Sequence, residues 1–330
     1  MDWAKLSDRI LEGGELSRGE ALSILRAPAS DTFRIVDAAA RVRRHHHGNR
    51  VKIHVLCNAK SGLCPEDCGF CSQSSISKAP IGRYRLLDAD AIGRAAENAR
   101  RAHAWKFCVV LASRGPSDHE MDVVCDAVKR IKRDVGVNVC TSLGILTAGQ
   151  AVRLKEAGVD RFNHNLETSR RHFPKICSTH DYNDRVKTIR HCKAAGLGTC
   201  CGGIAGMGES DEDLVDLAFA LRSLDVDSIP VNFLNPVPGT AMESRRDLDP
   251  LKCLRILALV RFANPSKDIR AAGGREVNLG EHQAAALRVA NSIFTEGYLT
   301  TPGNTFRQDL AMIRDAGMEI VEPRGPVAPP

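Results

Sequence analysis

Three cysteines stand close together in one short segment, Cys64-Pro-Glu-Asp-Cys68-Gly-Phe-Cys71. Thiolates at this spacing can hold one metal centre. A structural zinc site uses four closed ligands, and a cubane iron–sulfur cluster that only transfers electrons usually has four cysteines. Three cysteines leave one iron open to another ligand. The segment therefore predicts a cluster that takes part in chemistry.

Cysteines also occur in β-rich runs further along the chain. Cys108 lies in the second run, Cys140 in the third, and Cys200 and Cys201 in the fifth, while Arg270 lies in the seventh. A single buried cysteine is usually a small core residue. Alternate strand positions of a barrel point to its interior, so cysteines on three strands could converge and form a second iron–sulfur centre. Adjacent residues face opposite sides, so only one of Cys200 and Cys201 can take part.

The remaining cysteines show no such convergence and are interpreted as structural: Cys57, Cys125, Cys177, Cys192 and Cys253. Twelve cysteines in a reducing compartment are expected to be metal ligands, reactive thiols or buried hydrophobes rather than disulfides.

Paired amides follow two of the predicted strands: Asn163 and Asn165 follow the fourth, and Asn232 follows the sixth. Amides suit a polar, uncharged group such as an amide or urea, because each offers a donor and an acceptor. Capping of the following loop is an equal alternative. A glycine-rich turn over 202–209 permits close backbone approach by a ligand.

Hydroxyl side chains near the last predicted strand form another candidate group: Ser292, Thr300 and Thr301. They could bind a carboxylate, but hydroxyls at these positions are equally suited to capping a helix.

These residues need a scaffold, and the chain predicts one by alternating β-rich and amphipathic helical segments. The β-rich runs are Val51–Leu56, Phe107–Leu111, Val137–Cys140, Asp160–Phe162, Leu197–Cys201, Ser228–Phe233, Asp268–Ala271 and Asn291–Phe294. This order predicts an α/β fold, a closed (β/α)₈ TIM-type barrel. An open doubly wound sheet is the alternative.

Helix boundaries support this alternation. Ser17 and Glu20 predict a capping box in an N-terminal helical extension, residues 1–49. Gly158, Gly196 and Gly317 each end a helix before an apolar run. The barrel is expected over 50–322, and a disordered tail over 323–330.

Composition excludes several classes of protein. Apolar content of 43% and charged content of 26% in 330 residues are typical of soluble domains. The net charge is +6, but the basic residues are scattered, so no nucleic-acid partner is expected. The densest run, 41–47, is interpreted as a solvated helix end. The chain shows neither a signal peptide nor a spanning segment, which predicts a cytoplasmic protein without membrane attachment.

The motifs together resemble a known family. The loop from Cys64 to Cys71, with Phe70 before the last cysteine, is similar to the cysteine motif of radical S-adenosylmethionine (SAM) enzymes. From about Val51 to Ile320 the chain resembles the biotin synthase family. The matching phrases are Cys-Pro-Glu-Asp-Cys, Asn-His-Asn-Leu-Glu-Thr, Cys-Gly-Gly-Ile, Ile-Pro-Val-Asn-Phe-Leu, Gly-Gly-Arg-Glu and Ala-Asn-Ser-Ile-Phe.

The resemblance implies a reaction, dethiobiotin to biotin, and two clusters. The loop cysteines would bind a [4Fe–4S] cluster whose open iron takes the amino and carboxylate groups of SAM. Reductive cleavage of SAM would give a 5′-deoxyadenosyl radical that abstracts hydrogens at C9 and C6 of dethiobiotin. A [2Fe–2S] cluster on Cys108, Cys140, Cys200 and Arg270 would donate the sulfur. The Cys-x-Gly-Gly-Ile register selects Cys200. From chemistry alone, Arg270 would be a hydrogen-bond donor.

The resemblance also implies contacts for SAM and substrate. Residues expected at SAM are Arg185, at its carboxylate, and Gly202, Ile204, Gly206 and Glu209 of the glycine-rich turn. Residues expected at dethiobiotin are Asn163, Asn165, Asn232, Ser292, Thr300 and Thr301. Glu167 stands where the family commonly has a shorter aspartate.

Partners implied by the family are a flavodoxin or ferredoxin as electron donor and a second copy of the chain in a homodimer. Two alternatives stay open. One is another radical SAM enzyme, of the hydrogenase-maturation or methylornithine-forming type. The other is an iron–sulfur electron carrier, which would leave the three-cysteine count and the paired amides unexplained.

Overall fold

Eight parallel strand positions close into a barrel in the computed structural model, which describes residues 1–62 and 64–323. The strands are β1 (Arg50–Lys60), β2 (Lys106–Leu111), β3 (Asn138–Ser142), β4 (Arg161–Asn163), β5 (Gly198–Cys200), β6 (Gly203–Ala205), β7 (Ser228–Phe233), β8 (Asp268–Ala271), β9 (Ser292–Phe294) and β10 (Glu319–Ile320). β9 pairs with β1, which closes the barrel and excludes the open sheet.

The eight predicted β-rich runs all form barrel strands, but the fifth is divided. β5 pairs with β4 and β7, and β6 continues beside β7 after a break at Cys201 and Gly202. A Cβ atom at Gly202 would lie 1.9 Å from the carbonyl oxygen of Pro230, so the close approach requires glycine. β10 was not predicted; it pairs with the first residues of β1.

Helices alternate with the strands, as the sequence predicts. They are α1 (Trp3–Leu11), α2 (Arg18–Leu25), α3 (Thr32–His47), α4 (Ala89–Arg101), α5 (Asp118–Arg130), α6 (Ala148–Glu156), α7 (Tyr182–Ala194), α8 (Asp211–Ser223), α9 (Pro250–Ala263), α10 (Arg275–Leu279), α11 (Gln283–Leu287) and α12 (Phe306–Asp315). The capping box at Ser17 is present. Gly158, Gly196 and Gly317 adopt positive φ angles after α6, α7 and α12, as their role in ending helices requires.

The N-terminal helices share a hydrophobic core with barrel helices α8 and α9. The basic run 41–47 is only partly solvated, which corrects the interpretation above. Arg43 is buried and donates to the carbonyl oxygens of Arg50 and Ala290, because those carbonyls lie where α3 meets the barrel. The predicted disordered tail lies outside the described residues except for Pro323.

The barrel interior contains a small cluster of its own, separate from the two larger cores formed with the helices. It consists of Cys108, Cys140, Cys200, Ala272 and Phe294. Below it, at the N-terminal ends of the strands, Asp268 bonds Lys52 and Arg161 at 2.7 Å each. In the described part of the chain, no helix has both the length and the apolar character needed to cross a bilayer.

Candidate active site

A cavity of about 280 Å³ opens at the C-terminal ends of the barrel strands. Its wall includes the loop cysteines Cys64, Cys68 and Cys71. Its wall also includes the strand residues Cys108, Cys140, Cys200 and Arg270. Barrel enzymes bind their substrates at this end of the strands. The two predicted cysteine sites therefore face one common space.

The loop cysteines are held by local backbone hydrogen bonds. The N–H of Cys71 donates to the carbonyl oxygen of Cys68 at 3.0 Å, and the N–H of Gly69 donates to that of Ile176 at 2.9 Å. The second bond ties the loop to the segment between β4 and α7. Burial raises the pKa of Cys64, and raises that of Cys71 to about 11. Without metal these thiols are therefore protonated, and a bound metal would deprotonate them.

Cys177 lies directly beside the loop, although it was interpreted as a structural residue. Its Sγ is 3.7 Å from Sγ of Cys68 and 3.2 Å from Oδ1 of Asp67. His180 Nδ1 is 3.3 Å from the same sulfur. The hydrogen bond from Cys68 lowers the pKa of Cys177 to about 4, and the same contact, with burial, raises the pKa of Cys68. Sequence reasoning missed this contact because Cys177 is 109 residues from Cys68.

The spacing of the loop thiols argues against a single ion. Among the described residues, the only three cysteine, histidine or carboxylate ligand atoms within 4.8 Å of one another belong to Cys68, Cys177 and His180. In this arrangement the sulfur atoms of Cys64, Cys68 and Cys71 do not all lie within 4.8 Å of one another. A polynuclear cluster is larger and bridges wider gaps between thiolates.

The strand cysteines meet through the registers of neighbouring strands. Cys108 of β2 lies opposite Cys140 of β3, and Asn163 of β4 lies opposite Cys200 of β5. Cys200 faces the interior cluster, whereas Cys201 packs in the outer core between barrel and helices. The structure thus brings Cys200, and not Cys201, to Cys108 and Cys140.

Protonation differs among these buried thiols. A hydrogen bond with Cys140 lowers the pKa of Cys108, although burial opposes this shift. The same bond raises the pKa of Cys140 to about 12. A hydrogen bond with Cys140, with burial, also raises the pKa of Cys200. Cys108 is therefore the thiol of this set that ionises first when no metal is bound.

Arg270 lies beside Cys200 with both terminal nitrogens engaged. Nη1 donates to Sγ of Cys200 at 3.7 Å, and Nη2 contacts Oγ of Ser228 and Nε2 of His54, each at 3.4 Å. The ring of Phe294 lies 4.6 Å from Cζ of the guanidinium. One terminal nitrogen thus points at the thiols while the other is held in place.

His54 is a second residue that sequence reasoning missed. It was treated as part of an apolar run, but its Nε2 accepts from an arginine 216 residues away. Burial, with the charge of Arg270, lowers its pKa well below the ordinary value, so the ring is neutral. Within the described residues, Nδ1 of His54 and Nε of Arg270 are buried without a hydrogen-bond partner. Buried polar atoms of this kind usually contact ordered water or a bound group.

Arg185 of α7 also lines the cavity. Its Nε donates to Nε2 of His180 at 3.1 Å. Its Nη1 donates to the carbonyl oxygen of Asn165 at 2.9 Å and contacts Oε1 of Glu167 at 3.4 Å. Among bonds between described residues, Nη2 of Arg185 is not used, which leaves it for a ligand carboxylate. Burial raises the pKa of Glu167, whose backbone has a φ of +67°.

The glycine-rich turn is held largely by its own residues. Glu209 accepts from the N–H groups of Gly206 and Met207, both at 2.7 Å. The N–H of Gly202 donates to Oδ1 of Asn165 at 3.1 Å. Of the four residues predicted at SAM in this turn, Ile204 is the one that lines the described cavity wall.

The predicted substrate amides all line the cavity, and each also bonds nearby groups. Asn163 donates to Sγ of Cys200 at 3.3 Å, and Asn165 donates to Glu167 at 3.4 Å. Asn232 donates to the carbonyl oxygen of Gly203 at 3.1 Å and accepts from the N–H of Gly273 at 3.0 Å. These bonds fix the amides at the strand ends.

The three residues predicted to offer hydroxyls to the substrate do not lie together. Thr300 and Thr301 line the cavity, and Oγ1 of Thr300 is 2.7 Å from Oγ of Ser72. Thr301 donates to the carbonyl oxygen of Tyr298 at 2.9 Å. Ser292 lies apart from them: it is fully buried opposite Arg270 in the sheet register and donates to the carbonyl oxygen of Ile269.

Comparison with known proteins identifies two matched regions. Residues 60–221 match the radical SAM superfamily, and residues 230–319 match the biotin and thiamin synthesis associated domain. Biotin synthase of Bacillus licheniformis is 49% identical over 318 residues, covering 96% of each chain. Biotin synthase of Geobacillus kaustophilus is 50% identical over 319 residues, covering 97% of this chain and 96% of that protein.

Solved structures share the fold at much lower identity. Methylornithine synthase superposes with a TM-score of 0.85 at 21% identity, covering 96% of this chain and 97% of that one. The FeFe-hydrogenase maturase HydG from Carboxydothermus hydrogenoformans superposes with 0.82 at 15%, covering 96% and 79%. These two represent the alternative radical SAM types raised above, and at this identity they show the fold alone.

The identity and coverage of the curated relatives decide between those alternatives. About half of the residues are identical to those of the two biotin synthases over almost the whole length of the chain. The two matched regions, radical SAM and biotin and thiamin synthesis associated, point to the same family. Radical SAM membership implies a [4Fe–4S] cluster and SAM, which fits an open three-cysteine loop beside a cavity. The chain belongs to the biotin synthase family of radical SAM enzymes.

Proposed function

We propose that this chain converts dethiobiotin to biotin, the last step of biotin synthesis, by inserting sulfur between C9 and C6. One observation carries the proposal: two separate sets of three cysteines face one cavity. A cluster on the loop alone would serve many radical SAM reactions. A second thiol set inside the barrel supplies what sulfur insertion needs in addition.

The donor sets fit two different clusters. Cys64, Cys68 and Cys71 would hold the [4Fe–4S] cluster, because they lie in the region that matches the radical SAM superfamily and line the cavity together. Cys108, Cys140, Cys200 and Arg270 would hold the [2Fe–2S] cluster. The convergence of the three thiols in one interior cluster, with Nη1 of Arg270 donating to Cys200, supports a bound group there. When bound, SAM and the first cluster supply a 5′-deoxyadenosyl radical, and the second cluster supplies the sulfur.

The chain's own residues would bind and orient the reactants between these sites. Arg185 would pair with the SAM carboxylate through the nitrogen it does not use for protein contacts. Ile204 would contact SAM at the cavity wall, next to backbone that Gly202, Gly206 and Glu209 hold in place. The amides of Asn163, Asn165 and Asn232 would face the ureido ring. Enclosure of this space protects a reactive carbon centre from water.

The substrate carboxylate would bind at the cavity mouth. Thr300 and Thr301 line the wall there, and hydroxyls donate readily to a carboxylate. Ser292, also predicted to bind substrate, lies beside Arg270 in the sheet and is proposed to support that side chain instead.

Three further features are proposed from family membership. The electron donor is a flavodoxin or a ferredoxin, the active form is a homodimer, and the protein is cytoplasmic.

The proposal is tested by incubating anaerobically reconstituted protein with SAM, dethiobiotin and a reductant. Biotin and 5′-deoxyadenosine are the expected products. If preparations that hold both clusters form 5′-deoxyadenosine but never biotin, the proposed function is wrong. Cys200→Ala is expected to remove the second cluster's visible absorption, whereas Cys201→Ala retains it. The reverse result would exclude Cys200 as the ligand.

A further inference from the structure

Tyr298 lines the cavity from the same turn that carries Thr300 and Thr301. Two backbone hydrogen bonds of 2.9 Å close this turn, because Tyr298 and Thr301 each donate an N–H to the carbonyl oxygen of the other. Leu299, inside the turn, has a φ of +53°, which is uncommon for any residue other than glycine. Strained backbone of this kind is often found at ligand sites. The turn therefore holds the backbone of Tyr298 in one place at the cavity wall.

The ring of Tyr298 is packed against neighbouring groups. Its centroid lies 5.4 Å from that of Phe294 in an edge-to-face arrangement. A Cβ atom at Gly273 would lie 3.0 Å from two carbons of the tyrosine ring and 3.2 Å from Oδ1 of Asn232. The ring also packs against the interior cluster that contains the strand cysteines. Tyr298 thus stands beside one proposed substrate amide and above the strand site.

The hydroxyl of Tyr298 is available to a ligand. It forms no hydrogen bond with any residue that the structure describes, and it is not one of the fully buried polar atoms that lack a partner. Because Tyr298 lines the cavity, this oxygen has access to the open space there. A phenol is protonated at neutral pH and can donate a hydrogen bond.

The proposed substrate amides already donate to the protein. Asn163 donates to Oδ1 of Asn165 and to the carbonyl oxygen of Cys200, both at 3.3 Å. Asn165 and Asn232 also donate to acceptors of the protein, at 3.4 Å and 3.1 Å. A ureido oxygen has two lone pairs, and leaving them unpaired in an enclosed site is costly. A further donor in the same wall would satisfy this oxygen.

We propose that Tyr298 is a further substrate-binding residue: its hydroxyl donates to the ureido oxygen of dethiobiotin, and its ring holds the substrate beside the strand cysteines. This inference rests on the proposed function, because it takes dethiobiotin as the substrate. The two contacts have different consequences. The hydroxyl contributes to affinity, whereas the ring keeps the carbon that receives sulfur in place.

The hydroxyl is tested by equilibrium dialysis of dethiobiotin against the anaerobically reconstituted full-length protein, with SAM and without reductant. Tyr298→Phe removes the hydroxyl and keeps the ring, so Kd for dethiobiotin is expected to rise about 2–10-fold, as for loss of one hydrogen bond. Tyr182→Phe is the matched control. Tyr182 is buried against Phe173 at the start of α7, outside the described cavity wall, and its loss of a hydroxyl is expected to leave Kd unchanged.

The ring is tested by turnover with reductant. Tyr298→Leu leaves space beside the substrate, so the amount of 5′-deoxyadenosine formed per biotin is expected to rise above the wild-type ratio. Tyr298→Phe is expected to keep that ratio and the wild-type kcat, with a raised KM for dethiobiotin. Iron content and visible absorption of Tyr298→Phe are expected to match the wild type. A purely structural role for Tyr298 would not separate the two variants in this way.

Three results would overturn the proposal. Tyr298→Phe could bind dethiobiotin as tightly as the wild type, or it could lose the second cluster, which would place the hydroxyl at that cluster and not at the substrate. Tyr298→Leu could keep the wild-type ratio of products. In each case the wild-type protein still makes biotin. Failure of the proposed function is distinct, because the wild-type protein itself would then form no biotin.

Discussion

The two cysteine sites are built in opposite ways. Cys64, Cys68 and Cys71 lie within eight residues, and backbone bonds of their own loop bring them together. Cys108, Cys140 and Cys200 lie on three strands and meet only through strand registers. The first site is a local structure that the barrel carries, whereas the second is part of the barrel itself.

Their electrostatic surroundings also differ. Two carboxylates lie within the loop site: Glu66 accepts from the hydroxyl of Thr179, and Asp67 accepts from the N–H of Ser178. Two buried cations lie at the strand site: Arg270 contacts Cys200, and Lys106 stands on the strand that carries Cys108. Burial, with repulsion from Arg161, lowers the pKa of Lys106 to about 8. These cations would stabilise a negatively charged group bound to the strand cysteines inside the barrel.

The largest expected effect separates the two sites by product. Cys71→Ala is expected to abolish formation of both 5′-deoxyadenosine and biotin, because no radical is made without the loop cluster. Cys140→Ala is expected to abolish biotin while 5′-deoxyadenosine still forms. Both products are measured by chromatography after anaerobic incubation with SAM and dethiobiotin. If Cys140→Ala still made biotin, the strand site would not be the sulfur source.

The contribution of the ion pairs below the strand site to the stability of the barrel can be tested at Asp268. Ion pairs with Arg161 and Lys52 outweigh burial and hold the pKa of this carboxyl well below its usual range. Its contribution to stability is therefore full above the ordinary aspartate pKa and is lost as pH falls below it. Asp268→Asn is expected to lower the free energy of unfolding by about 3–5 kcal/mol at neutral pH.

Urea unfolding of the metal-free chain measures this change, and the mutant is expected to lose part of the acid sensitivity. Asp216→Asn is the control, because Asp216 pairs with Arg18 on the exposed surface. Its cost is expected to be below about 1 kcal/mol. Equal losses of unfolding free energy in both variants would contradict a larger contribution from the buried ion pairs of Asp268.

His54 tests whether the strand site extends beyond its cysteines. His54→Leu removes the acceptor for Nη2 of Arg270, and loss of such a supporting contact typically costs about 10–100-fold in metal affinity or activity. His54→Gln retains an acceptor near the position of Nε2 and is expected to keep most of the second cluster. Visible absorption and iron content measure occupancy. Similar losses in both variants would mean that ring packing, not the hydrogen bond, matters.

The last expected effect concerns the cavity mouth that both sites share. Thr300→Val removes a hydroxyl proposed to bind the substrate carboxylate, and a hydrogen bond to a charged group is worth about 1.5–3 kcal/mol, so KM for dethiobiotin is expected to rise roughly 10-fold or more. Thr301→Val is expected to raise KM less, because that hydroxyl donates to the carbonyl oxygen of Tyr298, whereas the Thr300 hydroxyl can accept from Ser72 and still donate to a carboxylate. Initial rates over a range of dethiobiotin concentrations give KM for each variant. An equal rise of KM in both variants would contradict the expected difference.

Sequence reasoning worked where the determining contacts are local. The loop cysteines, the capping box at Ser17 and the glycine that ends α6 at position 158 all depend on neighbouring residues. Barrel closure was also predicted, because alternation of strands and helices restricts the fold to few possibilities. The division of the fifth strand was not, since it depends on how closely Gly202 approaches Pro230.

Residues whose role depends on distant partners were missed. Cys177 was indistinguishable from a core cysteine until its segment was placed against the loop 109 residues earlier. His54 is a polar residue in a β-rich run, which could have marked it as functional, but its partner Arg270 is 216 residues away. A single sequence contains no record of such pairs, so they appear only when the fold is known.

The construction of the strand site sets an order for maturation of the protein. Its cysteines and Arg270 belong to strands from β2 to β8, so the site does not exist until most of the chain has been synthesised and the barrel has closed. Long-range strand pairing of this kind is slow. The loop at 64–71 is short and local, whereas the cluster proposed for the strand site would have to enter a finished barrel through the cavity that both sites line.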